Sequence, residues 1–262
     1  MTRVLIRKWW RASLRGGFAL VALLLALPVS ADAPLVAAAS SLKFALEEIG
    51  QQYRAQRGLA VRFVFGSSGN FYRQIRQGAP YQIFLSADEE YVQLLESVDL
   101  VQLPSFIYST GRLAYFAPAG SSLNPELGMD DLRRAVTEQR LNRFAIANPA
   151  HAPYGRAALE VLQQLGVEAQ IKPHLVLGEN VSQAAQFAVS GSTDGGLIAY
   201  SLALSPQLSA RGSFRLVPAE LHAPLRQRAA VIKGAGEDAQ QFFDYLQTDQ
   251  AQATFARYGF SQ

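Results

Sequence analysis

Apolar and polar positions along the chain alternate between short unbroken runs and helical spacings. Leu35–Ala39 is a compact apolar run of strand length, and Leu42, Ala45, Leu46, Ile49 and Tyr53 then recur at the spacing of one helix face. The same alternation continues. Val61–Phe65, Tyr81–Leu85, Leu113–Ala117, Arg143–Ala147, His174–Leu177, Leu197–Tyr200, Phe214–Val217 and Arg228–Ile232 read as strands. Helical patterns begin at Phe71, Tyr72 and Ile75, after Asp88, and over Met129–Thr137, Pro153–Leu165 and Val181–Val189. Two more close the chain, at Asp238–Leu246 and Gln250–Arg257. Asp88 ahead of Glu89 and Glu90 reads as an N-cap with an acidic first turn. Strands alternating with helices predict an α/β protein with mostly parallel sheets.

The first 31 residues break this pattern. Arg3, Arg7, Lys8, Arg11 and Arg15 precede the apolar run Phe18–Leu27, which is followed by Pro28 and the small residues Ser30, Ala31 and Ala33. This is the layout of a secretory signal peptide, residues 1–31, with a cleavage site at Val29-Ser30-Ala31. The apolar run is about half of the ~20 residues that a spanning helix needs. An exported protein in a periplasm is the expected product.

That segment changes the charge balance. The chain carries 24 Lys and Arg against 21 Asp and Glu, a formal charge of +3. Five of the basic residues and none of the acidic ones lie in residues 1–31, so the remainder has 19 against 21, a net charge of −2. The basic balance therefore supplies no case for nucleic acid as a partner. The chain has no Cys and three His. Disulfide scaffolds, thiolate metal sites, cysteine nucleophiles and an N-terminal lipidated Cys are excluded.

Candidate chemistry sits where strands pass into helices. Ser40-Ser41, Gly66-Ser67-Ser68-Gly69, Ala152-Pro153-Tyr154-Gly155 and Glu179-Asn180-Val181 occupy four such junctions. Helix starts leave backbone N–H groups without partners and carry partial positive charge. Several of them converging would hold an oxyanion without any formal cation. Taken singly, each junction reads as ordinary capping and turn chemistry. The glycines lack the Lys-Ser/Thr of a P-loop, and Ser67-Ser68 lacks the frame of a nucleophile elbow. His151 reads as a structural or solvated loop residue, and Tyr200 as a core residue at a strand end.

At these junctions the chain resembles the periplasmic molybdate-binding proteins of ABC importers, which are class II solute-binding proteins. The stretches that carry the resemblance are Val36–Leu42, Gly66–Gly69, Gly78–Asp88, Ala147-Asn148-Pro149 with Ala152–Gly155, Glu179–Val181 and Arg257–Phe260. The run G-A-P-x-x-I-F-x-S-A-D is the most specific of them. The resemblance implies a two-lobed fold, each lobe a mixed, mostly parallel sheet flanked by helices. Lobe I would be residues 32–113 plus 224–262 and lobe II residues 114–223, with ligand in the cleft between them. It further implies Ser40, Ser41 and Ser68 as lobe I donors, and backbone donation at Tyr154 and Val181. Tyr200 falls where many members place a ligand-binding hydroxyl. Molybdenum would be held only as the molybdate oxyanion, through these same residues and without direct metal–ligand bonds. The implied partners are an inner-membrane permease and its ATPase. The carrier would act as a monomer, with no cofactor and no enzymatic activity.

Two alternatives have distinct signatures. A carrier for sulfate or another oxyanion would use the same kind of donors. An exported serine hydrolase would need a base beside Ser68, and no recognisable His–Asp partner accompanies it.

Overall fold

The computed structural model describes residues 33–261. They belong to one compact unit. The expected signal segment lies outside the described residues.

The strands are β1 (Leu35–Ala39), β2 (Arg62–Gly66), β3 (Ile83–Ser86), β4 (Val101–Gly111), β5 (Leu113–Pro118), β6 (Phe144–Ala147), β7 (Leu175–Gly178), β8 (Gly195–Ala199), β9 (Gly212–Leu216) and β10 (Leu225–Ile232). They form two five-stranded sheets, ordered β2-β1-β3-β10-β4 and β7-β6-β8-β5-β9. The second sheet repeats the plan of the first. In each, a parallel triplet (β2-β1-β3, β7-β6-β8) is followed by a strand that runs back antiparallel, β10 or β5. The outer strands β4 and β9 pair antiparallel with β10 and β5. Half of the pairings are therefore antiparallel. The expectation of mostly parallel sheets describes the triplets and misses the strands that carry the chain between sheets. Only Arg112 separates β4 from β5 on the outward crossover.

The helices are α1 (Lys43–Arg57), α2 (Ser68–Arg76), α3 (Glu90–Ser97), α4 (Met129–Thr137), α5 (Pro153–Gln164), α6 (Glu168–Ile171), α7 (Val181–Val189), α8 (Tyr200–Ala203), α9 (Pro206–Ser209), α10 (Glu237–Tyr245) and α11 (Asp249–Arg257). A short 3₁₀ turn, Ser40–Leu42, leads into α1. Periodicity placed the long helices well because each buries one stripe. For α1 that stripe is Ala45, Leu46, Ile49 and Tyr53. Strand β4 escaped the sequence pattern. Its apolar positions do not alternate, Pro104 interrupts it, and its register against β10 shifts twice.

Successive residues of β1 feed opposite faces of the first sheet. Ala37 packs with Phe71, Ile75, Phe84, Val92 and Leu95 under α2 and α3. Val36 and Ala38 belong to the main core, with Leu46, Ile49, Tyr53 and Phe242. Phe242 is fully buried and meets Tyr53 edge-on at 5.1 Å and Phe63 at 5.8 Å. Truncating it removes a large buried ring from a close-packed site. Phe242→Ala is expected to lower stability by about 3–5 kcal/mol, read as a reduced midpoint in urea denaturation.

Candidate functional site

In each triplet the three parallel strands end at one sheet edge, so the turns after them are neighbours. In the first sheet, β1 leads to Ser40 and Ser41, β2 to Ser67 and Ser68, and β3 to Ala87. In the second, β6 leads to Ala152–Tyr154 and β7 to Val181. Ala39, Ser40, Ser41, Gly66, Ser67, Ser68, Ala87, Ala152, Pro153, Tyr154 and Val181 together line one cavity. It is small: the centre of a water-sized sphere has about 10 Å³ to move in. That is about the room one water molecule needs. No lining residue carries a formal charge.

Each turn leaves donors facing this space. Tyr154 stands one residue after Pro153 at the start of α5, and Val181 is the first residue of α7. Amides at such positions have no intrahelical acceptor. Asn180 caps α7 by accepting from Ser182 N and Gln183 N, at 3.0 and 3.1 Å, and leaves the Val181 amide free of the cap. Ser68 and Ser40 have their oxygens occupied from behind. Ser68 Oγ accepts from Ala87 N at 2.9 Å, and Ser40 Oγ accepts from Ser182 N at 3.2 Å. Ser41 Oγ is buried with no hydrogen-bond partner. It lies beside the Tyr154 hydroxyl, within electrostatic reach. Burial pushes Tyr154 up to about 12, against the opposing pull of the Ser41 hydroxyl and the Gln227 amide. Tyr154 therefore keeps its proton at any physiological pH.

Five of the six expected site residues, Ser40, Ser41, Ser68, Tyr154 and Val181, thus meet at one cavity. Tyr200 is not among its lining residues. β8 ends at Ala199, and Tyr200 opens α8 with its N–H on Arg112 O at 2.9 Å. Its ring packs against Phe214, and a Cβ on Gly259 would meet that ring at 2.6 Å. The helical turn carries the side chain toward Phe214 of β9 and Gly259.

Contacts between the two sheets' turns enclose the cavity. Ser182 Oγ donates to Ser40 O at 2.9 Å, and Ser201 Oγ donates to Ser41 O at 2.7 Å. His151, read from sequence as a plain loop residue, is buried and central to this contact. Its carbonyl accepts from Gly69 N at 2.9 Å and Ser67 Oγ at 3.0 Å. Its Nδ1 lies 2.8 Å from Ser67 Oγ, and its Nε2 lies 3.6 Å from Glu179. Asn70 Nδ2 donates to Glu179 as well. Arg156 pairs with Asp88, lies 3.5 Å from Glu90, and reaches the Tyr91 hydroxyl at 3.2 Å. Burial raises the Asp88 carboxyl, and Arg156 pulls it back down. Asp88 also accepts from Tyr91 N at 3.2 Å, one residue further back than a regular cap of α3. The Ser–His contact is at Ser67, whose oxygen also caps α2, while Ser68 bonds to a backbone amide. The hydrolase alternative would need a base at Ser68, and the histidine contact is at Ser67 instead.

Gly69 stood in a marked junction, but no sequence signal gave His151, Ser182 or Arg156 a place at the site, because their partners lie far away in the chain. Gly69 needs its missing side chain: a Cβ there would lie 2.6 Å from His151 O and 2.6 Å from Tyr91 Oη. Gly69→Ala is expected to force these turns apart, costing about 1–3 kcal/mol, read as a lower thermal midpoint.

The comparisons with known proteins agree with this architecture. Residues 34–261 match the family model for bacterial extracellular solute-binding proteins. The molybdate-binding protein ModA of Rhodobacter capsulatus is 38% identical, over 95% of this chain and 96% of that protein. ModA of Azotobacter vinelandii is 34% identical, over 92% and 95%. The solved structure of the Azotobacter vinelandii periplasmic molybdate-binding protein superposes with a TM-score of 0.78 at 30% identity, covering 87% of this chain and 99% of that one. Two matching mixed sheets and a match along nearly the whole described chain lead to one assignment: this chain belongs to the bacterial extracellular solute-binding proteins, a family of transport proteins rather than enzymes.

Proposed function

We propose that this protein captures molybdate, and tungstate with it, between two lobes and delivers it to the permease and ATPase of an ABC importer. The observation that carries the reading is a small cavity lined by neutral donors and free of carboxylates. Molybdate and tungstate are fully deprotonated tetrahedral dianions near neutral pH, so they accept hydrogen bonds and donate none. A carboxylate in the lining would repel them. Helix starts supply partial positive charge without a counter-charge that would hold the anion too tightly to release. The names of the ModA relatives support the same ligand.

In this reading the ligand contacts are the hydroxyls of Ser40, Ser41 and Ser68, the amides of Tyr154 and Val181, and the Tyr154 hydroxyl. Tyr200 acts as a packing residue. Lobe I comprises residues 32–113 with 224–262, lobe II residues 114–223, and the crossovers are the hinge. Residues 1–31 direct export to the periplasm, where the carrier acts as a monomer. The molybdate is cargo and not a resident cofactor.

Sulfate is the second reading, because it shares charge and tetrahedral shape with molybdate and differs in size. Calorimetric titration with molybdate, tungstate, sulfate and phosphate separates the two. Tight binding of molybdate and tungstate, with sulfate weak, is expected, and millimolar-only affinity for the first two would end the proposal. Ser41→Ala and Ser68→Ala are each expected to weaken molybdate binding by about 1–3 kcal/mol, since each leaves part of a buried anion without a donor. Unchanged affinity in both would remove these residues from the site. With Tyr154 at about 12, the site's donors hold their protons throughout the ordinary range. Molybdate affinity is expected to be flat between about pH 7 and 9, and a steep change there would point to a titrating group in the site.

A further inference from the structure

Three of the turns that line the cavity are joined beside it by a ring of polar contacts. His151 directly precedes the lining residue Ala152, Ser67 directly precedes Ser68, and Glu179 stands two residues before Val181. The buried His151 imidazole reaches two of these turns at once. Its Nδ1 lies 2.8 Å from Ser67 Oγ, and its Nε2 lies 3.6 Å from one Glu179 oxygen. Asn70, on α2, closes the ring by donating from Nδ2 to the other Glu179 oxygen. Arg73 donates to Asn70 Oδ1, which leaves the amide nitrogen for Glu179. The bond between Ser67 and the imidazole holds in either tautomer. A ring protonated at Nδ1 donates to Ser67 Oγ, whose own proton goes to His151 O, 3.0 Å away. A ring protonated at Nε2 takes the Ser67 proton at Nδ1, and Gly69 N, at 2.9 Å, still satisfies the carbonyl.

We infer that His151 is a positioning residue that latches the closed site and sets how slowly the anion leaves it. The inference rests on the oxyanion reading above. Ser67 and Asn70 follow β2 of the first sheet, while His151 and Glu179 follow β6 and β7 of the second. His151 itself does not line the cavity. It acts by holding the turn that carries Ser68 against the turns that carry Tyr154 and Val181. An anion enclosed by these turns leaves only when they part. Parting breaks the Ser67 contacts to His151 and the Asn70 bond to Glu179. Capture by an open site breaks none of them, so the latch weighs on release and not on association. The Ser67–His151 bond is buried, where a hydrogen bond is stronger than one in water.

The test follows labelled molybdate bound to the full protein and chased with an excess of unlabelled molybdate. His151→Ala keeps the His151 carbonyl contacts and removes only the ring. It is expected to speed release roughly tenfold, the effect of losing about one buried hydrogen bond, with association within about twofold of wild type. His151→Asn, whose amide stands in for Nδ1 at Ser67, is expected to recover most of the slow release. Thermal midpoints separate a latch from a plain packing residue. His151→Ala is expected to lower the midpoint of the molybdate-loaded protein more than that of the free protein. An unchanged release rate, or equal falls in the two midpoints, overturns the inference. Should His151→Ala fail to fold, Asn70→Ala removes the other bond across the same boundary, at the rim, and is read by the same two outcomes. Failure of wild type to bind molybdate overturns the oxyanion reading instead, so the two failures are distinct.

Discussion

The constraint on which the rest of the structure depends is the set of backbone N–H groups that helix starts leave without acceptors. An α-helix cannot satisfy its first amides internally, and burying them without a partner is costly. Here the starts of α2, α5 and α7 and the turn before α1 are aimed at one enclosed point. In the proposed reading an anion completes that point. The same logic explains why serine and alanine dominate the lining. Larger side chains would hold the two sets of turns apart, as Gly69 shows, and charged ones would set a fixed sign and demand their own partner.

Charge is kept to the rim. Arg156 with Asp88 and Glu90, and Glu179 with Asn70 and His151, join the two sides outside the cavity. Partly exposed pairs of this kind contribute little energy each. Their role is to hold the facing turns in register around the neutral site. Burial raises the Asp88 carboxyl, and Arg156 opposes that shift.

The crossover strands carry more than connectivity. β4 and β10 lie against each other along most of their length and hold Tyr108 and Gln227 behind Tyr154.

The amino-acid sequence by itself determined the elements whose physics is local. Apolar stripes at helical spacing specified α1, α4 and α7, and strand-length apolar runs specified β1, β3 and β6. The Ser-Gly-Pro junctions marked four helix starts, and motif resemblance joined five of their residues into one site. What only the tertiary structure decided depends on partners distant in the chain. β4 is held by pairing with β10, more than a hundred residues on, despite its Pro104 and broken alternation. His151 is buried because Ser67 and Gly69 reach it, and a lone loop histidine carries no sign of that in sequence. Tyr200 leaves the site because the chain turns into α8 at the end of β8. Hydrogen-bond partners across two sheets are set by close packing, and the periodicity of a single segment holds no record of them.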